Sequence, residues 1–188
     1  MTRQASELVF VDEMGIRAAD AERNYARSRA GNPAVQPGAA HCNGERGLLQ
    51  NFLCALGVDG TLPCSYDVQG PVNSEVFELW VTEMLIPAIQ VRYPFGGVCV
   101  VMDNAKFHRN RVLEDIFAAA DMELRFLPSY SPEYNPIETA FAWIKAHVRR
   151  TPTRSIRDIP AATYAALAEV SGDLAKAWMR HSNYVVEH

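Results

Sequence analysis

The sequence predicts a mixed α/β domain: a five-stranded sheet, three strands antiparallel and the later ones parallel, with helices packed against it. Three observations carry this. Short β-rich apolar segments at 7–12, 47–57 and 61–69 come first, the last two joined by the turn Val58-Asp59-Gly60. An apolar run at 97–103 and a short strand at 122–127 then alternate with stretches of helical period. The 188 residues are 48% hydrophobic and 21% charged, which fits one globular domain and excludes a disordered tail, a collagen-like fibre or a coiled-coil rod.

Each element follows from local chemistry. Residues 7–12 (ELVFVD) are apolar and β-branched and end on a carboxylate. Residues 17–47 hold few large apolar side chains, and Gly31-Asn32-Pro33 and Gln36-Pro37-Gly38 are turn sequences, so a long irregular connection is expected. Over 74–86, Val76, Phe77, Trp80, Val81, Met84 and Leu85 make the i, i+3/i+4 stripe of an amphipathic helix, which Pro87 ends or kinks. The run GVCVVMD at 97–103 suggests a strand covered on both faces. Helices are expected at 110–121, 136–150 and about 160–180.

Charge and cysteines narrow the function. The formal net charge is −4, whereas a free-standing nucleic-acid binder is usually basic. The deficit lies in the first 100 residues, with 7 Lys and Arg against 11 Asp and Glu; the remainder balances at 11 against 11. Cysteines at 42, 54, 64 and 99 lack zinc-site spacing, so they are expected as ordinary thiols in a reducing compartment. No stretch has the ~18 apolar residues of a membrane helix, and no secretory leader is visible. The chain is therefore expected not to be secreted or membrane-bound.

Two strands end alike, in V-F-V-Asp12 and V-V-M-Asp103. A carboxylate just past the carboxyl end of a buried strand stands at the rim where α/β proteins place their sites, although Asp also ends strands for turn reasons. The third candidate, Glu138, has a local alternative: Asn135, Pro136 and Glu138 compose a capping box. On the helical wheel, Ile137, Phe141, Ile144 and Val148 form the buried stripe, and Glu138, Lys145 and Arg149 share another face. A solvated surface gives that pattern, and so does a metal ligand followed by phosphate contacts. Three carboxylates on one rim repel one another and raise a pKa unless a cation neutralises them. Oxygen-only ligands select Mg²⁺ or Mn²⁺, and two such ions roughly 3.5–4 Å apart clamp both oxygens of a phosphodiester displacement.

Asp103-Asn104-Ala105 with His108, then LPSYSPEYNPIE from Leu127 to Glu138, then Phe141 and Lys145, resemble the catalytic domain of Tc/mariner superfamily DDE transposases. The 34 residues between Asp103 and Glu138 match the spacing of the Tc branch. Val11-Asp12-Glu13-Met14-Gly15 resembles the segment with the first triad Asp, and Gly70, Asn73, Phe77, Leu85-Ile86-Pro87 and Trp178-x-x-His181-Ser182-Asn183-Tyr184 resemble further family pieces. The resemblance covers about residues 7–185. Asn183 stands where the family usually has Gly, and Asn tolerates positive φ.

The resemblance implies an RNase H-like fold in which Asp12, Asp103 and Glu138 bind two Mg²⁺, with Mn²⁺ as substitute. It implies that water cuts DNA at the transposon end and that the freed 3′-hydroxyl then joins target DNA, with no covalent protein intermediate. Asn104 and His108 become supporting residues, and Lys145, Arg149, Arg150 and Arg154, with Arg157, a DNA-backbone patch. Arg23, Arg27 and Arg29 are further DNA candidates. Partners implied are transposon-end and target DNA and a second copy of the chain, without a small-molecule cofactor. Residues 1–188 are expected to be one catalytic domain lacking the helix-turn-helix module of family members, which accounts for the acidic balance. The expected location is nuclear in a eukaryote and cytoplasmic otherwise. The alternatives are a non-catalytic transposase-derived module that binds DNA or a protein, and a metal-independent hydrolase using paired carboxylates.

Overall fold

The computed structural model describes residues 3–17, 29–32, 48–104, 111–151 and 155–186. Its strands are β1 (Leu8–Arg17), β2 (Leu49–Gly57), β3 (Gly60–Thr61), β4 (Tyr66–Gln69), β5 (Cys99–Met102) and β6 (Glu123–Phe126). The sheet order is β3-β2-β1-β5-β6, with β4 also pairing β2. β1 runs antiparallel to β2 and parallel to β5, and β5 runs parallel to β6. The mixed architecture is thus as expected, but with six strands. The expected strand over 61–69 is split in two, since Pro63 has no N–H to donate to a ladder, and both pieces lie on β2.

The helices are α1 (Ser74–Trp80), α2 (Ile86–Arg92), α3 (Arg111–Ala119), α4 (Pro136–Val148), α5 (Ile159–Ala168) and α6 (Gly172–His181). Pro87 does not stop the first of these. A π-helical turn, Val81–Leu85, joins α1 to α2, and the Ile86 N–H reaches back five residues to the Val81 carbonyl. The widened turn accommodates a residue that lacks an N–H and crowds the preceding turn. The helix expected over 160–180 is two helices. Ser171 caps the second by accepting from Leu174 N at 3.4 Å. Gly60, at φ +121°, makes an isolated bridge to Ser171; a Cβ on Gly60 would run into the Val170 carbonyl oxygen.

Alternation along the strands builds two cores. Leu8, Phe10, Met14 and Ile16 of β1, with Phe52, Cys54 and Leu56 of β2, pack under α4, α5 and α6. Val9 and Val11, with Leu53, Ala55, Val100 and Met102, pack under α1, α2 and α3. Both faces of β5 are buried, as its unbroken apolar run predicts. Burial pushes the Cys54 and Cys64 thiols up to about 12 and the Cys99 thiol up to about 11. All three are free and, as expected of ordinary thiols, poor nucleophiles. Cys42 lies outside the described residues.

On α5, the Thr163 hydroxyl is buried with no hydrogen-bond partner among the described residues. An unmade hydrogen bond at a buried donor costs on the order of 1–3 kcal/mol. Thr163→Val keeps the shape and removes the polar atom, so it is expected to stabilise the fold by about 1 kcal/mol. Urea unfolding measures this; a lower midpoint would show that the hydroxyl has a partner.

Candidate functional site

The first two carboxylates are placed by strand register. The parallel pairing of β1 with β5 ends at Val11 and Met102, so Asp12 and Asp103 follow side by side. Alternation puts both on the face covered by α4, with Phe10 and Val101. Asp12 does not end its strand, as the sequence suggested. β1 continues to Arg17 against β2, with Asp12 opposite Cys54. What ends at Val11 is the pairing with β5, because that chain leaves the sheet after Met102. Asp12 is therefore interior and only 6% exposed. Glu13 alternates to the other face.

The third carboxylate is brought by α4. Leu127, Ile137, Phe141, Ile144 and Val148 pack into the core on the α4 side of the sheet, which carries exposed Glu138 in the first turn over the end of β5. Asp12, Asp103 and Glu138 line one cavity of about 440 Å³, with Asn104, Asn135 and the segment Leu127–Pro132. Asn104 Nδ2 donates to Ser129 Oγ at 2.7 Å, tying the end of β5 to that segment. Tyr130 on the cavity wall is fully exposed and has φ +60°, a conformation rare for a bulky residue and enriched at functional sites.

The capping-box expectation is not met. Asn135 stands at the N-cap of α4, but its side chain makes no capping hydrogen bond. Its Nδ2 instead donates to Asp12 Oδ2 at 2.8 Å, across 123 residues of sequence. The Glu13 N–H donates to Asp12 Oδ1, also at 2.8 Å. Local spacing could not disclose this, because the competing acceptor comes from another strand.

The site is electrostatically loaded. The Asp12 carboxyl is pushed up from 3.8 to about 7, chiefly by burial and then by the charge of Asp103. The Glu13 N–H opposes this, and Glu138 and Glu13 add smaller repulsions. A buried carboxylate facing others is the arrangement a hard cation relieves. The donor chemistry therefore fits Mg²⁺ or Mn²⁺. As the side chains stand, no group of three His, Cys, Asp or Glu among the described residues is gathered to hold an ion.

The basic candidates lie further along α4. By helical rise, Lys145 is about 10 Å and Arg149 about 16 Å beyond Glu138. Lys145 is half-buried; Arg149, the C-cap of α4, and Arg150 are exposed, as is Arg157. His108, Arg154, Arg23 and Arg27 lie outside the described residues, and Arg29 is exposed. Trp80 and Trp143 are packing residues. Trp80 is buried and donates to the Cys64 carbonyl, and Trp143 lies against Trp178. Asn183 adopts φ +66°, the positive value anticipated for it.

A family model described as DDE superfamily endonuclease matches residues 7–161. No curated protein matches the chain in sequence. Among solved structures, a pre-cleavage Mos1 transpososome is similar with TM-score 0.73 and 17% identity over 94% of this chain and 52% of the other. The Mos1 mariner paired end complex with Mn gives 0.71 and 17%, over 94% and 52%. The catalytic domain of Mos1 mariner transposase gives 0.67 and 15%, over 97% and 85%. The chain thus spans about half the length of the Mos1 chains in the complexes and most of the isolated catalytic domain.

Proposed function

Since this chain belongs to the DDE superfamily of endonucleases and shares the fold of the Mos1 transposase catalytic domain, we propose that it is a Tc/mariner-type transposase catalytic domain that cuts DNA at transposon ends and transfers the freed strand to target DNA. One observation carries the reading: carboxylates from β1, the end of β5 and α4 line a single cavity. In water they would repel one another. Their convergence has a use when divalent cations are shared between them.

Asp12, Asp103 and Glu138 are the residues that would hold two Mg²⁺, or Mn²⁺ in their place. When bound, such ions supply charge neutralisation at the attacking and leaving oxygens of a phosphodiester. The similarity to a mariner complex with Mn supports a divalent cation here. The protein contributes position. The sheet holds Asp12 and Asp103 in register, and the packed stripe of α4 holds Glu138 above them. Lys145, Arg149 and Arg150 lie along or just beyond α4; with Arg154, which is outside the described residues, they would neutralise phosphates of the bound DNA. Asn104, through Ser129, steadies the cleft wall, and His108 is the remaining supporting residue of this assignment. The similarity to transpososome and paired-end complexes supports DNA substrates and pairing with a second copy.

Nicking of supercoiled plasmid by the purified chain tests the proposal. Activity is expected with Mg²⁺ or Mn²⁺ and none with EDTA. A well-folded protein that nicks under no metal, alone or fused to a helix-turn-helix module, would sink it and leave a DNA- or protein-binding module.

A further inference from the structure

Asn135 is 3% exposed and lines the carboxylate cavity. It occupies an N-cap position, where Asn normally accepts from the backbone of its own helix, yet it makes no such bond. Its Oδ1 is buried and accepts from no donor among the described residues. The fold leaves a cap unmade and a carbonyl oxygen unsatisfied, while Nδ2 is committed to Asp12 Oδ2. Packing of α4 alone explains neither feature. A demand on the orientation of Asp12 explains both.

We propose that Asn135 is a positioning residue for Asp12, and that Tyr184 near the end of the chain sets Asn135 in place. The proposal rests on the assignment of Asp12 as a metal-holding carboxylate. An ionised carboxylate has two acceptor sites on each oxygen. The Glu13 N–H takes one on Oδ1 and Asn135 Nδ2 takes one on Oδ2. The plane of the group is thereby pinned at both oxygens, and among the described residues one acceptor site is left on each. That suits a carboxylate shared between two cations. Without Asn135, Oδ2 is released and the group can turn about its Cβ–Cγ bond.

Tyr184 acts one step further back. Its hydroxyl donates to the Tyr134 carbonyl at 2.9 Å, at the peptide bond that leads into Asn135. Its ring stands edge-on to Phe10 with centroids 4.9 Å apart, and Phe10 is two residues before Asp12 on the same face of β1. The segment after α6 thus braces the turn Pro132–Tyr134 from outside, and Tyr184 lies beyond the stretch matched by the family model.

Calorimetric titration of Mn²⁺ without DNA, beside nicking rates, tests the proposal on wild type, Asp12→Asn, Asn135→Ser, Asn135→Thr and Tyr184→Phe. Ser and Thr are competent N-caps too short to reach Asp12, so the helix start is kept and the contact is lost. The expected result is Mn²⁺ affinity about tenfold or more weaker in both Asn135 variants, with thermal midpoints close to wild type. A smaller loss is expected in Tyr184→Phe, and binding abolished in Asp12→Asn. Wild-type affinity in the folded Asn135 variants, with binding lost in Asp12→Asn, overturns the positioning role and leaves the metal assignment standing. A wild type that takes up no Mn²⁺ overturns both.

Discussion

Asp103→Asn is expected to lower metal-dependent nicking on the order of 10³-fold while leaving the fold unchanged, with Asp12→Asn and Glu138→Gln falling similarly. The magnitude follows from what is removed. On the proposed assignment, one carboxylate of three would supply much of the charge that holds a cation at the reacting phosphate, and losing one well-placed electrostatic partner costs about 10²–10³-fold or more, roughly 3–4 kcal/mol. Asparagine is nearly isosteric, and Asp103 is only half-buried at a strand end, so the circular dichroism and thermal midpoint should match wild type. Rates are compared at saturating Mn²⁺, to separate lost affinity from lost chemistry. Residual activity above a few per cent in Asp103→Asn would remove it from the triad. An equal fall in a Glu133→Gln control would point to general loss of acidic charge, because Glu133 is exposed and off the cavity lining.

The second large effect concerns stability. In the folded protein Asp12 keeps its proton up to about 7, against 3.8 for an ordinary Asp carboxyl. Between those values the folded state binds more proton than the unfolded chain, so stability falls as pH rises. The contribution is fully present below about 3.8 and lost above about 7. Ionising a group displaced that far costs about 4 kcal/mol, relieved in part by local relaxation. Hence at pH 8 in EDTA, Asp12→Asn is expected to raise the thermal midpoint by about 5 °C or more. The Asn135 amide, turned over, would then accept from the new side chain and satisfy its own Oδ1. At pH 4 the two proteins should melt together. At pH 8, added Mg²⁺ should raise wild type and leave Asp12→Asn unmoved. A wild-type midpoint that is flat from pH 5 to pH 8 would mean that Asp12 titrates as an ordinary surface carboxyl.

Much of this was legible in the chain. Local pattern marked every strand and helix that contributes a triad candidate, because β-branched apolar runs and the 3.6-residue stripe report which segments face a core. The LPSYSPEYNPIE block and the 34-residue gap after Asp103 pointed to DDE transposases; the family model then showed the DDE endonuclease superfamily, and the solved structures the shared fold. Elements were misjudged where a local signal met a distant partner. Pro87 reads as an end or a kink, and of the two the helix does not end: the packing of Val81, Leu85, Ile86 and Ile89 against the sheet carries it on through a π turn. Residues from about 160 to 180 read as helical, but the chain breaks at Ser171, where Gly60 of the neighbouring hairpin docks.

The sequence by itself determined the mixed sheet, the two buried faces, the three carboxylates and their order along the chain, since each depends on residue type and local period. Only the tertiary structure decided what those carboxylates experience. Asp12 looked like a strand-end residue and is an interior one, because β2 extends the sheet beside it after β5 has left. Asn135 looked like a helix cap and is the partner of Asp12, because folding brings together two residues 123 positions apart. Burial, charge proximity and the choice among competing acceptors are properties of assembled surfaces, and no window along the chain contains them.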